Sequence, residues 1–318
     1  MRHPKPIIVA SRCFGFAPCR YDQTTIPAPF FERLMPHVEF VPVCPELEIG
    51  LGVPRPTIRM ERRGARVQLV QPQSGRDLSD AMERFAHDFL DGVEAVDGFW
   101  LKARSPSCAA RDGKLFDPES GAIVDRRTSG RFTSVALARF ADRPFCDDRR
   151  ANQVALRDHY LCALFALARL REAEREGTRA ALVAFHSSHK LLLMAHGQQR
   201  MRALGRIVAA PASGSEGEAF DRYRAGVGAL LAQRPTRGAT INAAMHVLGY
   251  FRERLPVEAR HAFLARLERF RRRPGLIFAI RRDLRAFIER APDPYLSVQA
   301  FVEPYPVELE VIMPNRRR

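Results

Sequence analysis

The pattern of hydrophobic residues changes near residue 150 of the 318-residue chain, and this change constrains the fold more than any other sequence feature. Before it, short β-branched runs alternate with amphipathic stretches of helical period. After it, long segments of helical period follow one another, separated by short breakers that contain Gly or Pro. The sequence therefore predicts two domains, residues 1–150 and 151–318, which also agrees with the usual domain size.

The first half predicts an α/β domain. Its candidate strands and helices alternate as Ile7–Ser11, Pro27–Pro36, Val38–Val43, Asp77–Gly92 and Gly98–Ala103. Two further stretches, Thr57–Arg62 and Arg66–Val70, alternate in polarity on either side of a Gly-containing turn and predict a hairpin. The β-α-β order favours a three-layer, Rossmann-like domain with a largely parallel sheet.

The second half predicts an all-α domain. Its helical segments run over roughly 151–176, 178–196, 198–209, 216–232, 237–254, 256–272 and 275–290. This half also carries nearly all of the basic excess, with 28 Lys and Arg against 16 Asp and Glu, whereas residues 1–150 carry 23 against 20. An excess of basic residues in one half of a chain is typical either of a polyanion-binding module or of an Arg-rich protein with solvated helix faces.

Neither a targeting signal nor a membrane span is predicted. The apolar run near the start, Ile7–Ala10, is shorter than a signal h-region, and no stretch approaches the ~20 apolar residues of a span. We therefore expect a soluble, cytoplasmic protein. In that compartment the six Cys argue against a disulfide framework and leave core, metal or redox roles.

Three of these cysteines follow three predicted strands. Cys13 comes after the first strand, Cys44 ends the second and Cys108 lies in the loop after Gly98–Ala103. Ligand sites of open parallel sheets gather at the carboxyl ends of the strands, so these thiols can converge. The alternative is that each is a small buried hydrophobe. Three soft sulfurs without a neighbouring His favour a 4Fe-4S cluster with one open iron over an open zinc site.

The first half resembles the thiouracil desulfidase family. The resemblance covers about residues 5–150 and rests on Ser11–Cys13, Cys19–Asp22, Val41–Glu46, Ile49–Arg55, Gly75–Asp77 and Lys102–Cys108. The second half resembles an uncharacterised helical domain often fused behind the first, with matching segments Phe185–His196, Met245–Phe251 and Pro292–Leu296. The combined architecture is similar to that of fused desulfidases that act on 4-thiouridine in tRNA.

The resemblance implies a site and a reaction. Cys13, Cys44 and Cys108 match the three ligands of a 4Fe-4S cluster whose fourth iron binds the substrate sulfur. Glu46 matches the catalytic carboxylate, and either Ser105 or Ser107 matches a catalytic serine. The implied reaction converts 4-thiouridine in tRNA to uridine and sulfide by hydrolysis.

Several features are left with alternatives. Cys19 is expected to be a spectator, with a role as fourth ligand as the alternative. His186, His189 and His196 share a helix face, for which RNA contact or a buried network is favoured over metal binding. Candidate phosphate contacts are Lys190, Arg269, Arg271, Arg272, Arg273, Arg281, Arg282 and Arg285, with a solvated surface as their alternative.

The other candidate functions are desulfidation of free thiouracil or thiouridine, and non-catalytic RNA binding with a structural metal or cluster.

Overall fold

The computed structural model describes residues 3–210, 216–273 and 277–310, which form two compact units. One unit spans Pro6–Gln153, and the other begins at Val154 and also takes in residues 3–5. The first unit combines strands and helices and the second is helical. The predicted fold class, an α/β domain followed by an all-α domain, is therefore confirmed.

The first unit contains two sheets. Its elements are β1 (Ile7–Ser11), α1 (Pro29–Leu34), β2 (Glu39–Val43), α2 (Pro45–Glu48), β3 (Arg59–Arg63), β4 (Arg66–Gln71), β5 (Arg76–Asp77), α3 (Ser79–Asp91), β6 (Gly98–Trp100), β7 (Gly113–Phe116), β8 (Ile123–Thr128), α4 (Arg131–Arg139), β9 (Phe145–Cys146) and α5 (Asp148–Ala151). The four-stranded sheet has the order β2-β1-β6-β9 and is parallel throughout. The five-stranded sheet has the order β5-β4-β3-β7-β8, and its β3–β4 pair is the predicted hairpin.

Helices and the second sheet cover both faces of the parallel sheet. Because neighbouring side chains of a strand point to opposite faces, Trp100 packs against Phe31 of α1, whereas Phe99 stacks on Phe145. Phe99 belongs to a core that includes Met82 of α3 and Phe132 of α4. With both faces buried, the carboxyl ends of the strands remain as the edge from which loops build a site.

The second unit is a bundle of helices. These are α6 (Val154–Glu176), α7 (Arg179–Ala209), α8 (Glu216–Leu231), α9 (Arg237–Gly249), α10 (Val257–Arg272) and α11 (Ile277–Arg290). α7 has non-helical dihedral angles at Gly197, where the sequence predicts the break between two helical segments. In the part of the chain that the structure describes, no helix is both long and apolar enough to cross a membrane.

Candidate active site

The cysteines predicted at three strand ends line one cavity. Cys13 follows β1, Cys44 directly follows β2 and Cys108 lies in the loop after β6. β1 lies between β2 and β6 in the parallel sheet, so the three loops emerge side by side at its carboxyl edge. The cavity has a volume of about 260 Å³ and is also lined by Cys19 and Glu46.

All four thiols of this cavity are buried and free of disulfides. The Cys19 thiol lies within hydrogen-bond reach of Cys13 and Cys44, and the Cys44 thiol also faces the Cys19 carbonyl at 3.7 Å. Cys19 is therefore part of this group of sulfurs, although no spacing motif links it to the strand ends.

The environment of Cys19, Cys44 and Cys108 raises the pKa values of their thiols. Burial raises the pKa of Cys108 to about 12. The hydrogen bond with Cys13 raises the pKa of Cys19 to about 11, and the hydrogen bond with Cys19 together with burial raises that of Cys44. Without a metal these three side chains are thiols at neutral pH, so a metal centre must displace their protons when it binds.

Glu46 is hydrogen-bonded at both carboxylate oxygens. It lies in the first turn of α2, two residues after Cys44. Its Oε2 accepts hydrogen bonds from Nε and Nη2 of Arg55, at 2.9 and 2.7 Å. Its Oε1 accepts a hydrogen bond of 3.1 Å from the Ser107 hydroxyl. The carboxylate is thus fixed in orientation beside the thiols.

Arg55 is a further residue of the site that was not predicted, although it ends the segment Ile49–Arg55 that carries part of the family resemblance. Its guanidinium is buried, and Nη1 donates to the carbonyls of Cys19 and Gly52, at 3.0 and 2.8 Å. The same side chain therefore joins Glu46 to the loop that carries Cys19. The guanidinium reaches Glu46 and the Cys19 loop only because residues 49–55 fold back toward them.

The two candidate serines have different positions. Ser105 lines the cavity, and its oxygen accepts the backbone N–H groups of Ser107 and Cys108, at 3.2 and 3.0 Å. Ser107 is fully buried and donates to Glu46. Ser105 thus shapes the loop and faces the cavity, whereas Ser107 orients the carboxylate.

The start of α4 holds the serine loop in place. The backbone N–H of Gly130 donates to the Ala109 carbonyl at 2.8 Å, and that of Arg131 donates to the Pro106 carbonyl at 2.9 Å. A Cβ atom on Gly130 would lie 2.4 Å from the carbonyl carbon of Ser107. Glycine is therefore required here by the close approach of two backbones.

Besides Arg55, four cations line the cavity. Three of them form ion pairs, Arg12 with Glu48, Arg20 with Asp22 and Lys102 with Asp148. The fourth, Arg104, is exposed and forms no ion pair within the described residues, and its backbone has a left-handed φ of 61°. Tyr21 lies beside them, 43% exposed, with the Arg20 guanidinium over its ring. The mouth of the cavity therefore offers positive charge and an aromatic face.

The cysteines are not arranged around a single point. Among the described residues, no three His, Cys, Asp or Glu side chains are placed to hold one metal ion. A cluster distributes its cysteines over different iron atoms, so its ligands need not surround one position.

Six of the eight candidate phosphate contacts lie on the surface of the helical unit. Lys190, Arg269, Arg271, Arg272, Arg273 and Arg282 are exposed. Arg271 and Arg272 each form an ion pair with Glu268.

Of the other two candidates, Arg281 is contradicted by its burial, and Arg285 is partly exposed and engaged in an ion pair. Arg281 is buried and pairs with Asp158, because a guanidinium inside a bundle needs a carboxylate partner. Arg285 forms two hydrogen bonds to the buried carboxylate of Glu310, at 2.9 and 2.7 Å. The Arg281 guanidinium is therefore removed from the surface, and both Nη atoms of Arg285 are held by Glu310.

The three histidines point into the helical unit. His186 is hydrogen-bonded to the Tyr223 hydroxyl at 2.9 Å. His189 and His196 are buried, and each donates Nδ1 to the carbonyl four residues earlier on α7, that of Phe185 or Leu192. Burial is the main cause that lowers the pKa of all three. RNA contact and a buried network were the two roles predicted for these histidines, and their placement agrees with the buried network.

Fold and site together define an α/β domain with a cysteine-rich, carboxylate-bearing cavity at the edge of a parallel sheet, joined to a helical domain. Residues 8–147 match the family model described as 2-thiouracil desulfurase, and residues 190–306 match a family described as a protein of unknown function, DUF1722. The chain therefore carries a 2-thiouracil desulfurase family domain at its N-terminal end, with a DUF1722 domain fused behind it. The resemblance found in the sequence is thereby confirmed.

Two individual proteins are similar to parts of the chain. Uncharacterized protein YbgA of Escherichia coli (strain K12) is 32% identical over 151 residues, which are 47% of this chain and 89% of YbgA. The solved structure of a 4Fe-4S-dependent thiouracil desulfidase, TudS, is 25% identical, with a TM-score of 0.38. The match covers 48% of this chain and 97% of that one.

Proposed function

We propose that this protein removes sulfur from 4-thiouridine in tRNA by hydrolysis, which gives uridine and sulfide, in the cytoplasm. The observation that carries the proposal is the convergence of Cys13, Cys44 and Cys108 with Glu46 on one cavity of about 260 Å³. A structural metal site has no use for a carboxylate held by Arg55 and Ser107 beside its ligands. A desulfidase needs such a carboxylate to accept and donate protons.

The donor set fits a 4Fe-4S cluster. Three buried thiols come from three separate loops, and the described lining of the cavity contains no His, which suits a soft centre bound by sulfur. Cys13, Cys44 and Cys108 would hold the cluster. When bound, it supplies a Lewis-acidic iron without a protein ligand, on which the substrate sulfur is polarised.

Glu46 is assigned the proton transfers. Its Oε2 is occupied by Arg55, so Oε1, shared with Ser107, is the oxygen that accepts a proton from the attacking water. The water oxygen bonds to the carbon and the bond from that carbon to sulfur breaks, so that the oxygen becomes the carbonyl and loses both of its protons. One proton passes through Glu46 to the departing sulfide, which leaves as HS⁻, and the other passes to solvent. No electron is gained or lost overall.

Ser105 is assigned the contact with substrate, and Ser107 is a positioning residue. The Ser105 oxygen already accepts two backbone N–H groups, so the hydroxyl takes part as a donor, and the residue lines the cavity beside Cys108. It donates to the heteroatoms of the thiolated base. Ser107 instead donates to Glu46 and so fixes the orientation of the carboxylate that acts as general base.

The charges support a polyanionic substrate. Arg104 and its neighbouring cations line the cavity, and the helical unit presents the six exposed cations described above. Phosphates along an RNA strand are the natural partners of such surfaces. The family model is described by a free base, 2-thiouracil, so desulfidation of a free base or nucleoside is the second candidate.

The test is sulfide release by the anaerobically reconstituted protein from 4-thiouridine-containing tRNA and from the free nucleoside. We expect kcat/KM to be at least ten-fold higher on tRNA, and Cys108→Ser to abolish release from both. Cys146→Ser, the same change at a buried cysteine of β9, should retain release. Equal rates on the two substrates would favour the second candidate, desulfidation of a free base or nucleoside. RNA binding without any sulfide release would favour the non-catalytic alternative.

A further inference from the structure

Two side chains at the mouth of the cysteine-lined cavity, Tyr21 and Arg104, take no part in any step of the proposed reaction. Both line the cavity, and both are exposed to solvent. Tyr21 belongs to the loop after β1 and Arg104 to the loop after β6. Because β1 and β6 are neighbours in the parallel sheet, these loops leave the sheet side by side. An aromatic ring and a cation therefore lie at one opening.

The backbone of Tyr21 is fixed relative to Glu46. Its carbonyl accepts the backbone N–H of Arg55 at 3.2 Å, and the guanidinium of the same Arg55 holds the Glu46 carboxylate. The ring of Tyr21 stays 43% exposed, and the guanidinium carbon of Arg20 lies 5.4 Å from its centroid. A tyrosine whose backbone is held and whose ring remains in solvent offers a flat surface on which a base can stack.

Arg104 has a backbone conformation that favours glycine. Its φ of 61° lies in the left-handed region, where a residue with a Cβ atom is strained and glycine is not. Hydrogen bonds hold the loop in this shape, because the N–H of Arg104 donates to Asp112 and that of Ala103 donates to Asp148, each at 3.0 Å. Arginine adds to this position a guanidinium that has no carboxylate partner in the described part of the chain.

The size of the cavity limits what part of an RNA can enter it. A volume of about 260 Å³ is of the size of one nucleoside and not of a stacked helix. Enzymes that act on one base of a nucleic acid draw that base out of the stack, at the cost of its stacking energy. Aromatic side chains replace the lost stacking in complexes with single-stranded RNA. The phosphates on either side of the base belong to the continuing strand and therefore remain at the mouth.

We propose that this site recognises one unstacked nucleotide, whose base stacks on Tyr21 and whose flanking phosphate is bound by Arg104. The inference rests on the proposed function, because the base that enters the cavity is the one that loses its sulfur. The ring of Tyr21 contributes equally to the binding of a nucleotide and of a nucleoside, since both carry the base. Arg104 contributes only where a phosphate is present, and it thereby makes the site selective for a nucleotide within a strand.

Isothermal titration calorimetry of the anaerobically reconstituted full-length protein tests the proposal. The ligands are uridine 3′,5′-bisphosphate, which carries both phosphates that flank a nucleotide in RNA, and uridine. Neither contains the sulfur that the reaction removes, so neither is consumed. We expect the wild type to bind the bisphosphate at least ten-fold more tightly than uridine.

Arg104→Gly removes the guanidinium and suits the left-handed backbone, so the protein should unfold in urea at a midpoint no lower than that of the wild type. The affinity for the bisphosphate should fall at least ten-fold, and that for uridine should not change. Arg126→Gln, which removes an exposed cation from β8, is the matched control and should bind both ligands normally.

Tyr21→Ala should weaken both ligands by about five-fold or more, the range of base–aromatic stacking. Tyr21→Phe keeps the ring and should bind both as the wild type does. Tyr250→Ala, the same change at another exposed tyrosine, is the control.

Equal affinities of the wild type for the two ligands, an unchanged affinity of Arg104→Gly for the bisphosphate, or normal binding by Tyr21→Ala would overturn the proposal. Sulfide release from 4-thiouridine-containing tRNA is measured on the same preparations. Its absence in the wild type would contradict the proposed function, whereas sulfide release together with unaltered binding in both variants would contradict only this inference.

Discussion

At the level of single residues, Glu46 owes its role to its partners. Its two oxygens have different environments, one closed by Arg55 and the other shared with Ser107. The cysteines and Glu46 could be predicted from sequence because strand ends and short motifs locate them. Arg55 could not, because its contacts with Glu46 and the Cys19 carbonyl arise only when the chain between them folds back.

Cys19 is predicted to be dispensable for the metal centre. It lies beside Cys13 and Cys44, but Cys13, Cys44 and Cys108 are the thiols that follow the three adjacent strands. Cys19→Ala should therefore retain the iron and acid-labile sulfide content of the wild type, whereas Cys108→Ala should lose at least half of both. Loss of iron in Cys19→Ala would instead identify Cys19 as a fourth ligand.

Arg55 is predicted to position Glu46. Arg55→Lys keeps the charge but replaces the two donors on Oε2 by a single point of contact, and a hydrogen bond to a charged group is worth about 1.5–3 kcal/mol. We expect kcat to fall about ten-fold or more with KM nearly unchanged, as measured by sulfide release. Arg59→Lys, a matched change in the Arg59–Glu61 pair of β3, should have little effect. A raised KM at constant kcat would show that Arg55 binds substrate instead.

At the level of elements, the site is built from loops that the sheets and α4 support. The parallel strands β1, β2 and β6 and the β3–β4 hairpin were predictable because their hydrophobic patterns are regular, whereas β9, with two residues, was not predicted. β7 and β8 were not, since β7 has four residues and β8 carries three charges among its six. The support of the serine loop by Gly130 depends on the contact between α4 and that loop, which no local pattern encodes.

Gly130→Ala is predicted to disturb both stability and activity. The added Cβ would meet the Ser107 backbone at 2.4 Å, and such overpacking costs about 1–3 kcal/mol. The free energy of unfolding in urea should fall by that amount, and sulfide release should fall with it because Ser105 and Cys108 shift. Gly92→Ala, where the nearest atoms lie at 3.6 Å, is the control. Wild-type stability in Gly130→Ala would contradict the close approach.

At the level of the whole molecule, charge and chemistry are divided between the two units. The thiols and Glu46 belong to the unit with nearly balanced charge, and most of the excess of Arg belongs to the helical unit. Sequence counts predicted this division but not which cations reach the surface. Arg281 and Arg285 were assigned to the surface because helical spacing does not reveal their carboxylate partners, Asp158 and Glu310.

The exposed arginines at the end of α10 and on α11 are predicted to bind RNA phosphates. Replacing Arg269, Arg273 and Arg282 by Gln should weaken tRNA binding and reduce the slope of log K against log salt by up to about 0.9 for each lost contact. Binding should be measured over 50–200 mM salt. Replacing Arg202, Arg206 and Arg222 by Gln removes the same charge. In this control the slope of log K against log salt should stay steeper than in the first triple variant. An identical slope in the two triple variants would show that the first surface is only solvated.

The central claim is that the cysteine-lined cavity is a desulfidase site in which Glu46 transfers protons. It is tested most directly by single-turnover sulfide release from 4-thiouridine-containing tRNA, with wild type and Glu46→Gln matched for iron and acid-labile sulfide content. We predict stoichiometric sulfide and uridine with the wild type and at least a hundred-fold slower release with Glu46→Gln. Equal rates for the two iron-loaded proteins would contradict the account.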